Sequence, residues 1–95
     1  MPAYIVFTRE RMRNKADYDA YASRSRATLE GHSFKRLAAY GKCETLEGAP
    51  VEGAVILEFP TMEAAKAWYD GPGYREARVD RFKGADYRVF IVDGA

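Results

Sequence analysis

Three stretches of this chain alternate in the manner of β-strands, and in each of them both sets of alternate residues are mainly apolar. Ala3 to Thr8 carries Ala3, Ile5 and Phe7 on one parity and Tyr4, Val6 and Thr8 on the other. Ala54 to Phe59 carries Val55, Leu57 and Phe59 against Ala54, Ile56 and Glu58, and Tyr87 to Val92 carries Tyr87, Val89 and Ile91 against Arg88, Phe90 and Val92. Successive strand residues point to opposite faces. An antiparallel sheet with one wet face shows polar residues at every second position, so a sheet built from these stretches wants cover on both faces.

The rest of the chain offers cover for one face. Asn14 is suited to cap a helix, Asp17 adds a negative charge to its first turn, and Tyr18, Tyr21, Ala22, Ser25 and Leu29 recur at helical spacing before Gly31 closes it. Thr61 is suited to cap a second helix over Met62–Tyr69, with Glu63 near its positive end and Ala65, Trp68 and Tyr69 on one face. Gly71-Pro72-Gly73 breaks that helix, and Pro72 can begin a continuation over Tyr74–Phe82. Phe34 to Leu46 reads as a long edge strand with a bulge or bend at Gly41. Glu47 to Gly53 and Lys83 to Asp86 read as turns.

The order is β-α-β-β-α-β over residues 1–95 as one domain, which predicts a ferredoxin-like α+β fold with a four-stranded antiparallel sheet. Leaving several hundred Å² of sheet face in water would forfeit roughly 10 kcal/mol at about 25 cal/mol per Å², comparable to the whole stability of a small domain. The expected remedy is a homodimer formed sheet to sheet. Composition supports it. Forty-seven per cent hydrophobic residues, with 7 Tyr, 5 Phe and 1 Trp, are ample for a chain of 95 residues, whose own core is modest.

The 15 basic and 14 acidic side chains leave a net charge of +1 and alternate in sign along the chain. This speaks against nucleic-acid or anionic-membrane partners, which need a concentrated basic field. Cys43 is the only cysteine, so no internal disulfide can form, and the apolar run Ala3–Phe7 is too short for a membrane span or signal core. The expected location is the cytoplasm.

The stretch "LEFPTMEAAKAWYDGPGYREAR", the paired tyrosines of "DYDAYASR", the "TLEG" of residues 45–48 and the closing "FIVDG" together resemble a bacterial family of unassigned function, domain-of-unknown-function family 1330. Its most specific part is Glu58-Phe59-Pro60, followed by Ala64-Ala65, Trp68-Tyr69 and Tyr74. The resemblance spans nearly the whole chain. It implies the dimeric α/β-barrel superfamily, in which two ferredoxin-like subunits pack their sheets together and the helices lie outside. That superfamily includes cofactor-free monooxygenases of polyketide-like aromatics, haem-degrading enzymes and small lactone isomerases, so the fold does not supply a reaction. Two departures stand out. Gly71-Pro72-Gly73-Tyr74 stands where the family usually has Ser-Pro-Glu-Tyr, and Asp93-Gly94 stands where Glu-Gly is usual.

Candidate site residues fall into three groups. Glu58, between Leu57 and Phe59, would serve as a general acid or base if it faced a dry cavity, or would pair with an arginine at the strand end or dimer contact. His32, the only histidine, is either a helix-end or surface residue, a proton carrier, or an axial haem ligand as in relatives by fold. Trp68, Tyr69, Tyr74, Tyr18 and Tyr21 would line an aromatic pocket or form plain core. Arg78 and Arg81 would pair with Glu58, clamp a ligand carboxylate, or be structural; the resembled family also tends to carry an arginine at Arg81.

Several chemistries lack their residues. No H-x-x-x-H or C-x-x-C spacing exists, Cys43 has no histidine beside it, and no serine sits in a G-x-S-x-G elbow. Gly71-Pro72-Gly73 follows a helix and leads to Glu76, which is no nucleotide loop. Residues 52–59 put Ala and Ile where an RNA-recognition strand needs stacking aromatics. No cofactor or metal is expected. The expected function is the binding of a small organic molecule in an aromatic-lined pocket. The alternatives are a cofactor-independent monooxygenase or isomerase, with Glu58 or His32 moving a proton, and a purely structural dimer.

Overall fold

The computed structural model describes residues 1–95. The elements run β1 (Ala3–Met12), α1 (Lys15–Thr28), β2 (Lys35–Ala39), β3 (Gly53–Phe59), α2 (Met62–Tyr69), α3 (Pro72–Gly84) and β4 (Ala85–Asp93). The four strands form one sheet in the order β2-β3-β1-β4, all neighbours antiparallel. This is the ferredoxin-like arrangement that the element order predicts, with the second helix split into α2 and α3.

Local chemistry explains most boundaries. The Asn14 side chain accepts from the Asp17 N–H and the Thr61 hydroxyl from the Ala64 N–H, so α1 and α2 start on side-chain caps. The α2 helix ends at Asp70, and Pro72, with no N–H to lose, opens α3 one residue after the Gly71 cap.

Several boundaries differ from the sequence reading: β1 runs past Thr8 to Met12 and the continuation helix covers Pro72–Gly84, longer at both ends than Tyr74–Phe82. The edge strand is short: β2 covers Lys35–Ala39, its bulge lies between Arg36 and Ala38, and residues 41–52 are not strand. The chain leaves the sheet because Tyr40 adopts a left-handed conformation at φ 57°, while Gly41 does not. Cys43 therefore lies outside any strand and is exposed. At the other end there is no turn over residues 83–86, because α3 runs through Gly84 directly into β4.

The sheet register sorts the two parities. Ala3, Ile5 and Phe7 pair with Phe59, Leu57 and Val55 on one side, and Ile5 and Phe7 pair with Ile91 and Val89 on the other. This face lies under the helices and holds the core together with Tyr18, Tyr21, Leu29, Ala65, Trp68, Tyr74 and Ala77. Trp68 stacks on Phe59 at 5.7 Å and donates its ring N–H to the Thr28 hydroxyl at 3.0 Å, tying α2 to the end of α1. The opposite face carries Tyr4, Val6, Ile56, Phe90 and Val92 and has no helix on it. Phe90 and Val92 are 49% and 48% exposed.

The crossing of α1 and α3 depends on Gly84. A Cβ there would lie 2.6 Å from the Tyr18 backbone nitrogen and 2.9 Å from its Cα, inside van der Waals contact. Gly84→Ala should therefore force the helices apart and cost about 1–3 kcal/mol. Urea denaturation of the two proteins measures this as a lowered midpoint at similar slope. An unchanged midpoint would contradict the tight crossing.

Candidate functional site

The crossing leaves a cleft between α1, the sheet and the end of α2. It has a volume of about 320 Å³, and ten of its thirteen lining residues are hydrophobic. Phe7, Val55 and Leu57 form its floor, Ala22 and Leu29 one wall, and Trp68 one end. The polar side chains are Tyr18, Tyr21 and Tyr40, together with Ser25, Arg26 and Arg36. An apolar enclosure with a few polar tips at this size matches small-molecule sites.

Each tyrosine at the cleft is held by a further group. Tyr21 and Tyr74 join hydroxyl to hydroxyl at 2.8 Å, and the Arg81 guanidinium donates to the Tyr74 hydroxyl at 3.1 Å. Arg81 is only 4% exposed, makes no salt bridge, and lies over the rings of Phe82 and Tyr87 at 5.0 and 5.5 Å. Its Nε has no hydrogen-bond partner. A buried charge normally has a counter-charge. Here tyrosine hydroxyl and ring faces stand in for one.

Tyr18 and Tyr40 are held by a different arginine. Arg9 lies 4.9 and 5.0 Å from their ring centres and is itself paired with Glu52 at 3.1 Å. Tyr40 reaches across to hydrogen-bond the Tyr87 hydroxyl. Its ring occupies the space above Gly53, where a Cβ would come within 2.8 Å of Tyr40 Cδ1. Glycine at 53 therefore makes room for a strained tyrosine at the cleft mouth.

Burial dominates the electrostatics of these phenols. It pushes Tyr21 well above the ordinary tyrosine value, with Tyr74 adding to the effect. Burial also raises Tyr74, although Arg81 pulls in the opposite direction. Tyr87 is raised by burial and then by Tyr40, and Tyr40 by burial and then by Tyr18. These hydroxyls stay protonated at neutral pH. No carboxylate or imidazole lines the cleft, so the charged groups its walls offer are guanidinium donors, beside hydroxyls that can donate or accept.

The sequence candidates separate accordingly. Tyr18, Tyr21 and Trp68 line the cleft. Tyr74 and Arg81 sit behind Tyr21 and reach it through hydrogen bonds. Tyr69 belongs to a smaller hollow of about 130 Å³ with Ile5, Lys66 and Phe90, and Arg78 lies over its ring at 4.5 Å and donates to its carbonyl at 3.3 Å.

Glu58 is on the other face of the sheet. It pairs with Lys35 at 3.7 Å, opposite Tyr4, and neither Arg78 nor Arg81 pairs with it. The partner of Glu58 is thus a lysine and not the arginine expected from the sequence, and Glu58 is not among the residues that line the cleft. His32 is exposed beyond the end of α1 and outside the cleft. Nowhere do three His, Cys, Asp or Glu side chains converge as metal ligands do.

Tyr40, Arg9 and Tyr87 were not singled out from sequence. Arg9 had a signal, as it continues the Ala3-Ile5-Phe7 parity onto the helix face. Tyr40 had none, because its place depends on the early end of β2.

Fold and site together define a ferredoxin-like α+β domain with an aromatic, donor-lined cleft under its helices. The chain belongs to the family described as a domain of unknown function, DUF1330, whose profile matches residues 2–95. None of the curated proteins matches it in sequence.

Among solved structures it is similar to the RPA0582 protein of unknown function from Rhodopseudomonas palustris. The two are 22% identical with a TM-score of 0.72, over 99% of this chain and 82% of that one. It is also similar to SnoaB, a cofactor-independent oxygenase from Streptomyces nogalater, at 9% identity and a TM-score of 0.63, over 99% and 93% of the chains. A Nitrosomonas europaea protein provisionally assigned as an antibiotic biosynthesis monooxygenase is similar at 14% identity and a TM-score of 0.60, over 99% and 98%. At these identities the likeness is one of fold. No helix is long and apolar enough to cross a membrane.

The raised tyrosines link folding to alkaline pH. The native protein keeps protons that the unfolded chain releases near the ordinary value of 10.0, so stability is full below that pH and falls as pH rises through it. Thermal unfolding at pH 8 and at about pH 11 should show a lower midpoint at the higher pH. Phenolate absorbance should rise in two groups, with the buried tyrosines ionising only as the protein unfolds. A single titration of all tyrosines near the ordinary value would contradict their burial.

Proposed function

We propose that the protein is a homodimer, closed sheet to sheet, whose subunits each bind a small organic molecule in the cleft beneath α1. The cleft carries this reading. In a small domain, a hollow of about 320 Å³ lined mainly by apolar groups persists beside tyrosine hydroxyls and arginines. A purely structural dimer module would fill such a space with its own side chains.

The open sheet face supports the dimer. Tyr4, Val6, Ile56, Phe90 and Val92 present a continuous apolar surface that α1, α2 and α3 leave uncovered, with the Glu58–Lys35 pair toward one edge. A second copy buries such a face, and the two-fold repetition makes the contact self-complementary.

The catalytic alternative loses its assigned proton carriers in this cleft. Glu58 lies across the sheet and His32 lies outside, so a monooxygenase or isomerase working here would draw on tyrosine donors and on the acidity of its own substrate.

Two measurements test the proposal. Light scattering should give a mass of twice 10.7 kDa for the wild type and the monomer mass for Val6→Asp, which puts a charge into the apolar face. A wild-type monomer at micromolar concentration would contradict the dimer. In a thermal-shift screen of small acids, phenols and neutral aromatics, hits should stabilise the wild type and lose their effect on Ala22→Phe, which fills the cleft. A screen without hits would favour the structural module.

A further inference from the structure

The hydrogen-bond chain behind the cleft has a direction. The Arg81 guanidinium can only donate, so the Tyr74 oxygen accepts from it at 3.1 Å. Tyr74 is 1% exposed, and the one other polar group within hydrogen-bond distance of its oxygen is the Tyr21 hydroxyl at 2.8 Å. Both hydroxyls are buried, so what orders the pair is the cleft: Tyr21 lines it and Tyr74 does not. A Tyr74 proton turned away from Tyr21 would meet no acceptor, whereas a free Tyr21 proton can be met by a ligand. Tyr21 then accepts, and its proton has no acceptor in the protein. Tyr21 is 6% exposed and lines the cleft.

The charge balance points the same way. Arg81 is buried without a salt bridge and with an unpartnered Nε, while the cleft lining includes Arg26 and Arg36 and no acid. A buried cation is costly without a counter-charge, and polarisation along Arg81, Tyr74 and Tyr21 makes the last hydroxyl a stronger donor. The raised ionisation of Tyr21 and Tyr74 keeps both protons in place for this role.

We infer that the ligand of the cleft is a small aromatic anion, a carboxylate or phenolate whose oxygen accepts the Tyr21 hydroxyl proton at the end of the Arg81–Tyr74–Tyr21 chain, while its ring lies against Trp68, Phe7 and Leu57. The inference rests on the proposed cleft function and names the class of molecule it takes. Selectivity comes from the absence of any carboxylate to balance a cationic ligand in a lining that already holds Arg26 and Arg36, and from the donor that a neutral hydrocarbon would leave unpaired.

Trp68, the only tryptophan, lines the cleft, so its fluorescence reports occupancy. The test titrates the full chain with benzoate, benzyl alcohol and benzylamine, for the wild type and for Tyr21→Phe and Tyr74→Phe. Both variants keep their rings, and the melting temperature checks their folding. Benzoate should bind the wild type at least about tenfold more tightly than benzylamine, and Tyr21→Phe should weaken benzoate about tenfold, the weight of one hydrogen bond to a charged acceptor. Tyr74→Phe, which cuts the chain one step back, should weaken benzoate by less while leaving benzyl alcohol unchanged.

Equal binding of benzylamine, or unchanged benzoate affinity in Tyr21→Phe, would overturn the inference. Binding of benzyl alcohol or benzylamine without benzoate would overturn it and leave the cleft function standing. No response of Trp68 to any of the three probes would overturn both.

Discussion

The hydroxyl contact between Tyr21 and Tyr74 joins α1 to α3 above the sheet, and the site is organised around it. Each ring is nearly sealed from water, so neither hydroxyl could be buried without the other. The contact fixes how close the helices come, Gly84 makes that approach possible, and the space left beside Tyr21 is the cleft. Arg81 completes the arrangement by donating to Tyr74 from beneath α3. A guanidinium in that position costs desolvation energy that only its aromatic and hydroxyl neighbours offset.

The two faces of the sheet then divide the work. The face under the helices holds the core and the cleft, and the open face holds the apolar surface that we propose a second copy covers. Glu58 lies on the open face, with Lys35 beside it and Tyr4 across from it. This division follows from strand alternation. Moving one residue along β3, from Leu57 to Glu58, changes a floor residue of the cleft into a residue of the opposite face.

Much of this was legible from sequence, and the limits have physical causes. Alternation in the stretches containing Ile5, Leu57 and Val89 identified the strands and the uncovered face, and the caps Asn14 and Thr61 placed two helix starts correctly. Trp68, Tyr69, Tyr74, Tyr18 and Tyr21 are legible from sequence as pocket wall or core, since aromatic rings with polar tips suit both. That Trp68, Tyr18 and Tyr21 line the cleft while Tyr69 and Tyr74 do not depends on the packing of the helices. The end of β2 was not legible, since it turns on Tyr40 adopting a left-handed conformation where the neighbouring Gly41 was the expected bend. Which way Glu58 points, and that Arg81 is buried on Tyr74 and not paired with a carboxylate, depend on strand register and helix crossing, which a pattern of residue types does not contain.

The most direct measurement is a high-resolution crystal structure of the protein grown with benzoate. A carboxylate oxygen about 2.7 Å from the Tyr21 hydroxyl, with the ring against Trp68 and the Arg81–Tyr74–Tyr21 chain intact, is the expected result. A cleft closed by the protein's own side chains, or benzoate bound with its carboxylate turned away from Tyr21 toward solvent, would contradict it.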